Sequence, residues 1–428
     1  KHLLVLDNAN DRSDLLRYLQ PLDNWTILVT STADVSADLP TERVETLREQ
    51  PAIELFCSHC PTAAGQDDLL RRLLRAIGYH TLTIELLAKN LAQLRRYALQ
   101  NLCDDLEQRG VLHLPKTRTV DAARYHDHQE VKPQDVIRGI FDVTQLDEHL
   151  QHLLQDFAVL PHEPIPYDHL ATLLGITDET EEAFDEALKK LSATGWLECD
   201  RDADTYYLHN LIAEVVRDLH QPTYARYQRI ADILEAILDS DELVLGDKIP
   251  YLPYAQSLAQ RLDAPELAGL CLSAGERYKD VGNLQLAAWF FQTAQVKYAA
   301  LGNAYWEAAM HQKLGDVQLA LGKMNDAMTH FQAFETGFEK LHAEDPHSER
   351  LKNGLAISYE RLGELWQAKG DFNQALDYFE RDAALTEELY QANPHSESLK
   401  NGLAISYSKL GDLWQAKGDF NQALDYFE

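Results

Sequence analysis

Residues 351–380 return almost unchanged as residues 399–428, and the two copies differ only at Glu360/Ser408, Arg361/Lys409 and Glu364/Asp412. No other feature constrains the fold as strongly. A short unit cannot bury its own apolar face, so a sequence that recurs at a fixed spacing folds into units that stack on one another. Earlier copies are looser. Leu314-Gly315-Asp316 matches Leu362-Gly363-Glu364 and Leu410-Gly411-Asp412, and Gly282-Asn283 matches the turns Gly322-Lys323, Gly370-Asp371 and Gly418-Asp419. Each unit holds a helix with a stripe such as Leu355, Tyr359, Leu362 and Trp366. A glycine turn follows, then a helix with Phe372, Ala375, Leu376 and Phe379. The spacing predicts antiparallel helix pairs over 266–428, with turns at Gly282, Gly322, Gly370 and Gly418. Small Gly363 and Ala375 let paired helices approach closely, and the aromatics, Trp366 included, fill the space between repeats.

This pattern resembles the tetratricopeptide repeat in its Leu-Gly, aromatic, Ala and Phe positions, at a spacing longer than the usual ~34 residues. The resemblance implies an α-solenoid whose first helices line a concave face. The positions there, Gln312, Asp316, Glu360, Glu364, Gln367, Ser408, Asp412 and Gln415, are polar and mostly acidic. Two readings stand open: a groove for a basic protein or peptide, or a solvated face.

The beginning of the chain has a different character. Leu3-Leu4-Val5-Leu6 runs into Asp7-Asn8, and Trp25-Thr26-Ile27-Leu28-Val29 ends at Thr30. Continuous apolar runs closed by polar residues fit fully buried strands of a parallel sheet, with the segment from Asp11 to Leu19 as the intervening helix. Ligands of such sheets sit beyond the carboxyl ends of the strands, where Asp7 and Thr30 lie. Residues 43–110 carry two leucine stripes, Leu69/Leu70/Leu73/Leu74 and Leu82/Leu86/Leu87/Leu91, the second opened by Gly78-Tyr79-His80-Thr81. Residues 111–135 read as an aperiodic connector. Residues 136–220 read as three helices and a hairpin around Asp200–Asp204, the pattern of a winged helix. The helices carry Leu146 to Phe157, Asp168 to Leu174, and Ala183, Ala187, Leu188 and Leu191; residues 161–166 act as a breaker. Residues 221–265 read as a helical spacer broken at Pro222, Pro250, Pro253 and Pro265.

In this order the segments resemble the second half of the NB-ARC nucleotide-binding module of STAND-class signalling NTPases. The resemblance implies a mainly α chain. Residues 1–60 are a truncated α/β P-loop NTPase half, 61–135 a helical subdomain, 136–220 a winged helix, and 266–428 the solenoid. It implies a nucleotide and Mg²⁺ site to which this chain gives Asp7 and Asn8, Thr30, the turn Gly78, Thr81 and Leu82, and His209. Asp7 would anchor the metal, Thr30 would sense the γ-phosphate, and His209 would touch the β-phosphate of ADP in a closed state. Asn8 replaces a second acid, which implies slow hydrolysis at most. Thr32 and Thr81 replace a frequent Arg and Pro, and Asn210 replaces the Asp after the histidine, weakening the lock. No GxxxxGK[ST] occurs, so the phosphate loop is expected upstream, and the chain reads as a piece of a longer protein.

The implied function is a sensor-switch: the repeats recognise a protein trigger, and ATP replaces ADP as the protein opens and self-associates. Two rivals remain, a transcription regulator of the same architecture with an upstream DNA-binding domain, and a repeat scaffold with a degenerate NTPase remnant. A net charge of −30 opposes direct nucleic-acid binding, as do Asp178, Glu179, Glu181, Glu182, Asp185 and Glu186 on the third winged-helix helix, which Lys189 and Lys190 do not offset. No run reaches the ~18 residues of a membrane span, and five cysteines in a long chain suit a reducing, cytoplasmic setting. Cys57 and Cys60 read as a chance pair of thiols, and His126 and His128 as loop histidines.

Overall fold

The computed structural model describes residues 2–6, 25–30, 46–94, 96–118, 120–121 and 130–427. The chain forms two compact units, Lys1–Ile230 and Ala231–Glu428.

In the first unit β1 (His2–Leu6) and β2 (Trp25–Val29) pair in parallel, His2 opposite Trp25 and Leu6 opposite Val29. The expected helix between them lies outside the described residues. The expectation of full burial fails. Leu3, Val5 and Leu28 are 62%, 50% and 54% exposed. A strand apolar on both faces is buried only when a layer covers each face, and among the described residues these strands form a two-stranded sheet.

The helical stretch comprises α1 (Glu49–His59), α2 (Asp67–Ala76), α3 (Thr81–Gln93) and α4 (Leu99–Arg109). Asp67 and Asp68 open α2, where carboxylates favour the helix dipole. The leucine stripes are core: Leu70, Leu73 and Leu74 are buried, as are Leu82, Leu86, Leu87 and Leu91. Arg72 on α2 ties to Asp104 and Glu107 on α4. The supposed connector holds more structure than its sequence suggests. Val120–Asp121 (β3) pairs antiparallel with Glu130–Val131 (β4), and Pro133 starts α5 (Pro133–Ile140), since the first helical turn needs no N–H from proline. His126 and His128 lie outside the described residues. Cys57 and Cys60 are free thiols, half-buried and buried.

The next segment runs α6 (Glu148–Val159), β5 (Ile165–Pro166), α7 (Tyr167–Leu174), α8 (Glu181–Ala193), β6 (Glu198–Asp200), β7 (Thr205–Tyr207) and α9 (Asn210–Leu219). The strands form an antiparallel sheet in the order β5-β7-β6, so the expected breaker contributes a strand. Asp200 Oδ1 accepts the N–H groups of Asp202 and Ala203 and shapes the hairpin loop. On α8, Ala183 is exposed and Phe184 is buried instead; the ring removes far more apolar area from water than the methyl would.

Helix α10 (Tyr224–Asp239) contains the boundary between units. In the second unit Pro253 lies in the first turn of α12 (Leu252–Arg261), after the short α11 (Leu245–Lys248), so it starts a helix where a break was expected. The solenoid follows as α13 (Ala268–Asp280) with α14 (Leu284–Ala300), α15 (Ala304–Ala320) with α16 (Met324–Glu344), α17 (Glu349–Ala368) with α18 (Phe372–Ala392), and α19 (Glu397–Lys417) with α20 (Phe420–Phe427). Gly282, Gly322, Gly370 and Gly418 turn the chain within the pairs with φ of +79°, +76°, +84° and +85°, a conformation that glycine adopts without strain. Within each pair a glycine of the first helix lies under a phenylalanine of the second. A Cβ built on Gly275, Gly315, Gly363 or Gly411 would come within 2.6 Å of Phe291, Phe331, Phe379 or Phe427. Trp366 packs against the clusters on both sides of it, as a core residue.

Candidate functional site

The turn after α2 is built from two left-handed residues, Gly78 at φ +58° and Tyr79 at +57°. It places His80 as the cap of α3, with Nδ1 accepting from the Thr83 N–H at 3.4 Å and lying 3.0 Å from its hydroxyl. Burial, and then the nearby His209, push the His80 pKa down to about 4, so its ring is neutral at physiological pH. Far along the chain, His209 caps α9 in the same manner. Its Nδ1 accepts from the Leu211 N–H at 3.2 Å, which leaves the proton of the neutral ring on Nε2. That Nε2 lies 3.1 Å from the Gly78 carbonyl oxygen and donates to it. A Cβ on residue 78 would fall 2.2 Å from Nε2, so the contact needs glycine there. Asn210 Nδ2 donates to the Ala76 carbonyl at 2.7 Å, satisfying one of the orphan acceptors at the end of α2. Phe141, Trp196 and Tyr207 wall the cluster through ring contacts with His80, with one another and with His209.

Thus two of the sequence-predicted residues, Gly78 and His209, meet. Thr81 is exposed in the first turn of α3, beside buried Leu82. Thr30 is exposed after β2. Asp7 and Asn8 lie outside the described residues. The turn therefore gathers two imidazole rings, 6.2 Å apart between centroids, beside the N-terminus of α3. No GxxxxGK[ST] phosphate loop occurs in the sequence. Among the described residues no group of three or more His, Cys, Asp or Glu is placed to hold a metal ion. Sequence reasoning missed His80, whose signal is a histidine directly before a helical run, and Glu214 and Asp218, which continue the line begun by Asn210 along α9.

On the solenoid three of the four acidic positions, Asp316, Glu360 and Glu364, are paired across repeats. Lys313 Nζ meets Glu276 at 2.8 Å, and Arg361 meets Asp316 at 3.6 Å and Glu364 at 3.1 Å. Lys409 meets Glu360 at 3.9 Å and also bonds Glu364. The first helix of each of these repeats therefore brings a cation to the acids of the one before. Burial raises the carboxyl pKa values of Asp316 and Glu360. Gln312 and Gln367 are half-buried; Ser408, Asp412 and Gln415 are exposed.

Fold and pairing together define a helix-pair repeat protein over the second unit. More specifically, residues 355–396 match the family model of the tetratricopeptide repeat. No curated protein matches the chain. Among solved structures it is similar to BtubC from P. vanneervenii, at 20% identity over 47% of this chain and 76% of that one, TM-score 0.35. It is similar to MamA at 18% identity over 42% and 85%, TM-score 0.30. It is also similar to a signal transduction ATPase with numerous domains (STAND) and a tetratricopeptide repeat sensor, from Pyrococcus horikoshii, at 12% identity over 99% and 67%, TM-score 0.23. No helix among the described residues is long and apolar enough to cross a membrane.

Proposed function

We propose that the chain is the switch and sensor part of a nucleotide-regulated signalling protein of the NB-ARC type. The carrying observation is the meeting of Gly78 and His209 at 3.1 Å, two residues distant in sequence and both implicated by that resemblance. In this reading residues 136–220, which hold helix, strand, helix, helix, strand and strand from α6 to β7, are a winged helix, and His209 ties it to the nucleotide-facing turn. The Nε2–H now on the Gly78 carbonyl is the donor that the β-phosphate of ADP takes over in the closed state. Thr81 lies at the same end of α3, Thr30 senses the γ-phosphate, and Asp7 anchors Mg²⁺ through water. Bound Mg²⁺-ATP supplies the γ-phosphate that distinguishes the open state from the closed one. The tetratricopeptide unit recognises a protein trigger, and the opened protein self-associates.

A hydrogen bond to a charged phosphate contributes about 1.5–3 kcal/mol. Losing it from the closed state alone shifts the closed-to-open ratio by about ten- to a hundredfold. His209→Ala should therefore let the intact protein, with ADP and no trigger, form oligomers measurable as mass in solution. A variant as monomeric as the wild type would refute the role of His209.

A further inference from the structure

The two faces of α9 are unlike. Leu211, Ile212, Val215 and Val216 are buried, α9 packs against α6, and Arg217 adds a bond to the Ala158 carbonyl at 2.6 Å. The other face is a line of polar side chains at four-residue spacing, which share one side of a helix. Asn210 grips the Ala76 carbonyl. One turn on, Glu214 Oε1 accepts the Leu112 N–H at 2.6 Å. One turn further, Asp218 pairs with Arg138 Nε and His113 Nε2, each at 2.9 Å. The gripped backbone groups lie at the last residue of α2 and just past α4, helices already joined by Arg72 and Glu107, and Arg138 lies on α5. The contacts of Glu214 and His209 each rest on a glycine. A Cβ at Gly110 would lie 2.4 Å from the Glu214 carboxylate, as one at Gly78 would strike His209.

We infer that the polar face of α9 is the seam along which the first unit opens, with Asn210, Glu214 and Asp218 acting together with His209 as a latch. On opening, α9 stays with α6 while the body of α2 to α5 lets go. The chemistry suits reversible release. Parting an apolar junction exposes area at ~25 cal/mol per Å², whereas parted hydrogen bonds are largely replaced by bonds to water. His209 is then one end of a line whose other members act on the nucleotide-facing turn from a distance. They are positioning residues. This inference rests on the switch reading for its purpose, but the seam itself can be tested without nucleotide.

The test is hydrogen exchange on the chain alone. The Tyr79 and His80 N–H groups are bonded within their turn, to Leu74 and Ile77 carbonyls, so their protection reports the far end of the seam. Glu214→Ala should speed exchange about ten- to a hundredfold at 111–112 and also at 79–80, with α6 unchanged. Glu214→Gln keeps an acceptor and should fall between. Asp218→Asn, a milder change, should act in the same direction at both places. An effect confined to 111–112 would overturn the inference, because the grips would then be independent. Loss of protection through α6 would overturn it too, since Glu214 would then support the whole fold. A seam that behaves as expected alongside a silent His209→Ala would leave the latch standing and remove the nucleotide role.

Discussion

Asp382 shows how a single carboxyl can be out of keeping with its repeat. It is 3% exposed on α18, beside the Ser406 hydroxyl, and burial pushes its pKa up to about 7. One repeat earlier the corresponding place holds Phe334, fully buried. An unfolded aspartate titrates near ~3.9, so folding favours the protonated form. The stability this group permits is fully present below pH ~4 and is lost as pH rises towards 7. Asp382→Asn should therefore stabilise the protein at pH 8 by about 2–4 kcal/mol, at ~1.4 kcal/mol per unit, and do little at pH 4. Urea unfolding at the two pH values checks this. At this scale the sequence is least legible. Nothing in the repeat pattern separates a buried aspartate from an exposed one, and Glu214 reads as an ordinary solvated position because its partners are backbone N–H groups of a distant loop. Gly78 and His209 were found only through the family resemblance; neither spacing nor burial points to their meeting.

Helix pairs were far more legible, for a physical reason. Turns at positive φ select glycine, so Gly282, Gly322, Gly370 and Gly418 mark them directly, and Leu-Gly marks the close crossing under phenylalanine. That crossing has a measurable cost of change. Gly363→Ala places a methyl 2.6 Å from the Phe379 ring and should destabilise by about 1–3 kcal/mol, as overpacking does. Combined with Phe379→Leu, it should cost less than the two single changes summed. Thermal unfolding of the four proteins gives that coupling; strict additivity would deny the contact. Where legibility failed, the missing information lay in a neighbour. The ion pairs of the first-helix acids were not read because their cations lie on the next repeat, and the apolar strands β1 and β2 read as buried because their composition cannot say what covers them.

The chain as a whole divides into two units, each with its own core. Units that fold on separate cores unfold as separate cooperative steps when the connection between them is weak. Calorimetry should show two transitions, and Asp382→Asn should move only the one that belongs to 231–428. A single transition shifted as a whole would mean that the cores are thermodynamically one. The near-identity of the last two repeats carries a different consequence. Their apolar surfaces are interchangeable, so while the chain folds either copy can take the seat meant for the other. The positions at which they differ, Glu360/Ser408, Arg361/Lys409 and Glu364/Asp412, all fall on the edge that carries the cross-repeat ion pairs. Only Glu360/Ser408 changes the charge, so beyond that edge the copies are told apart by the neighbours they meet, Phe334 before the first and Asp382 before the second.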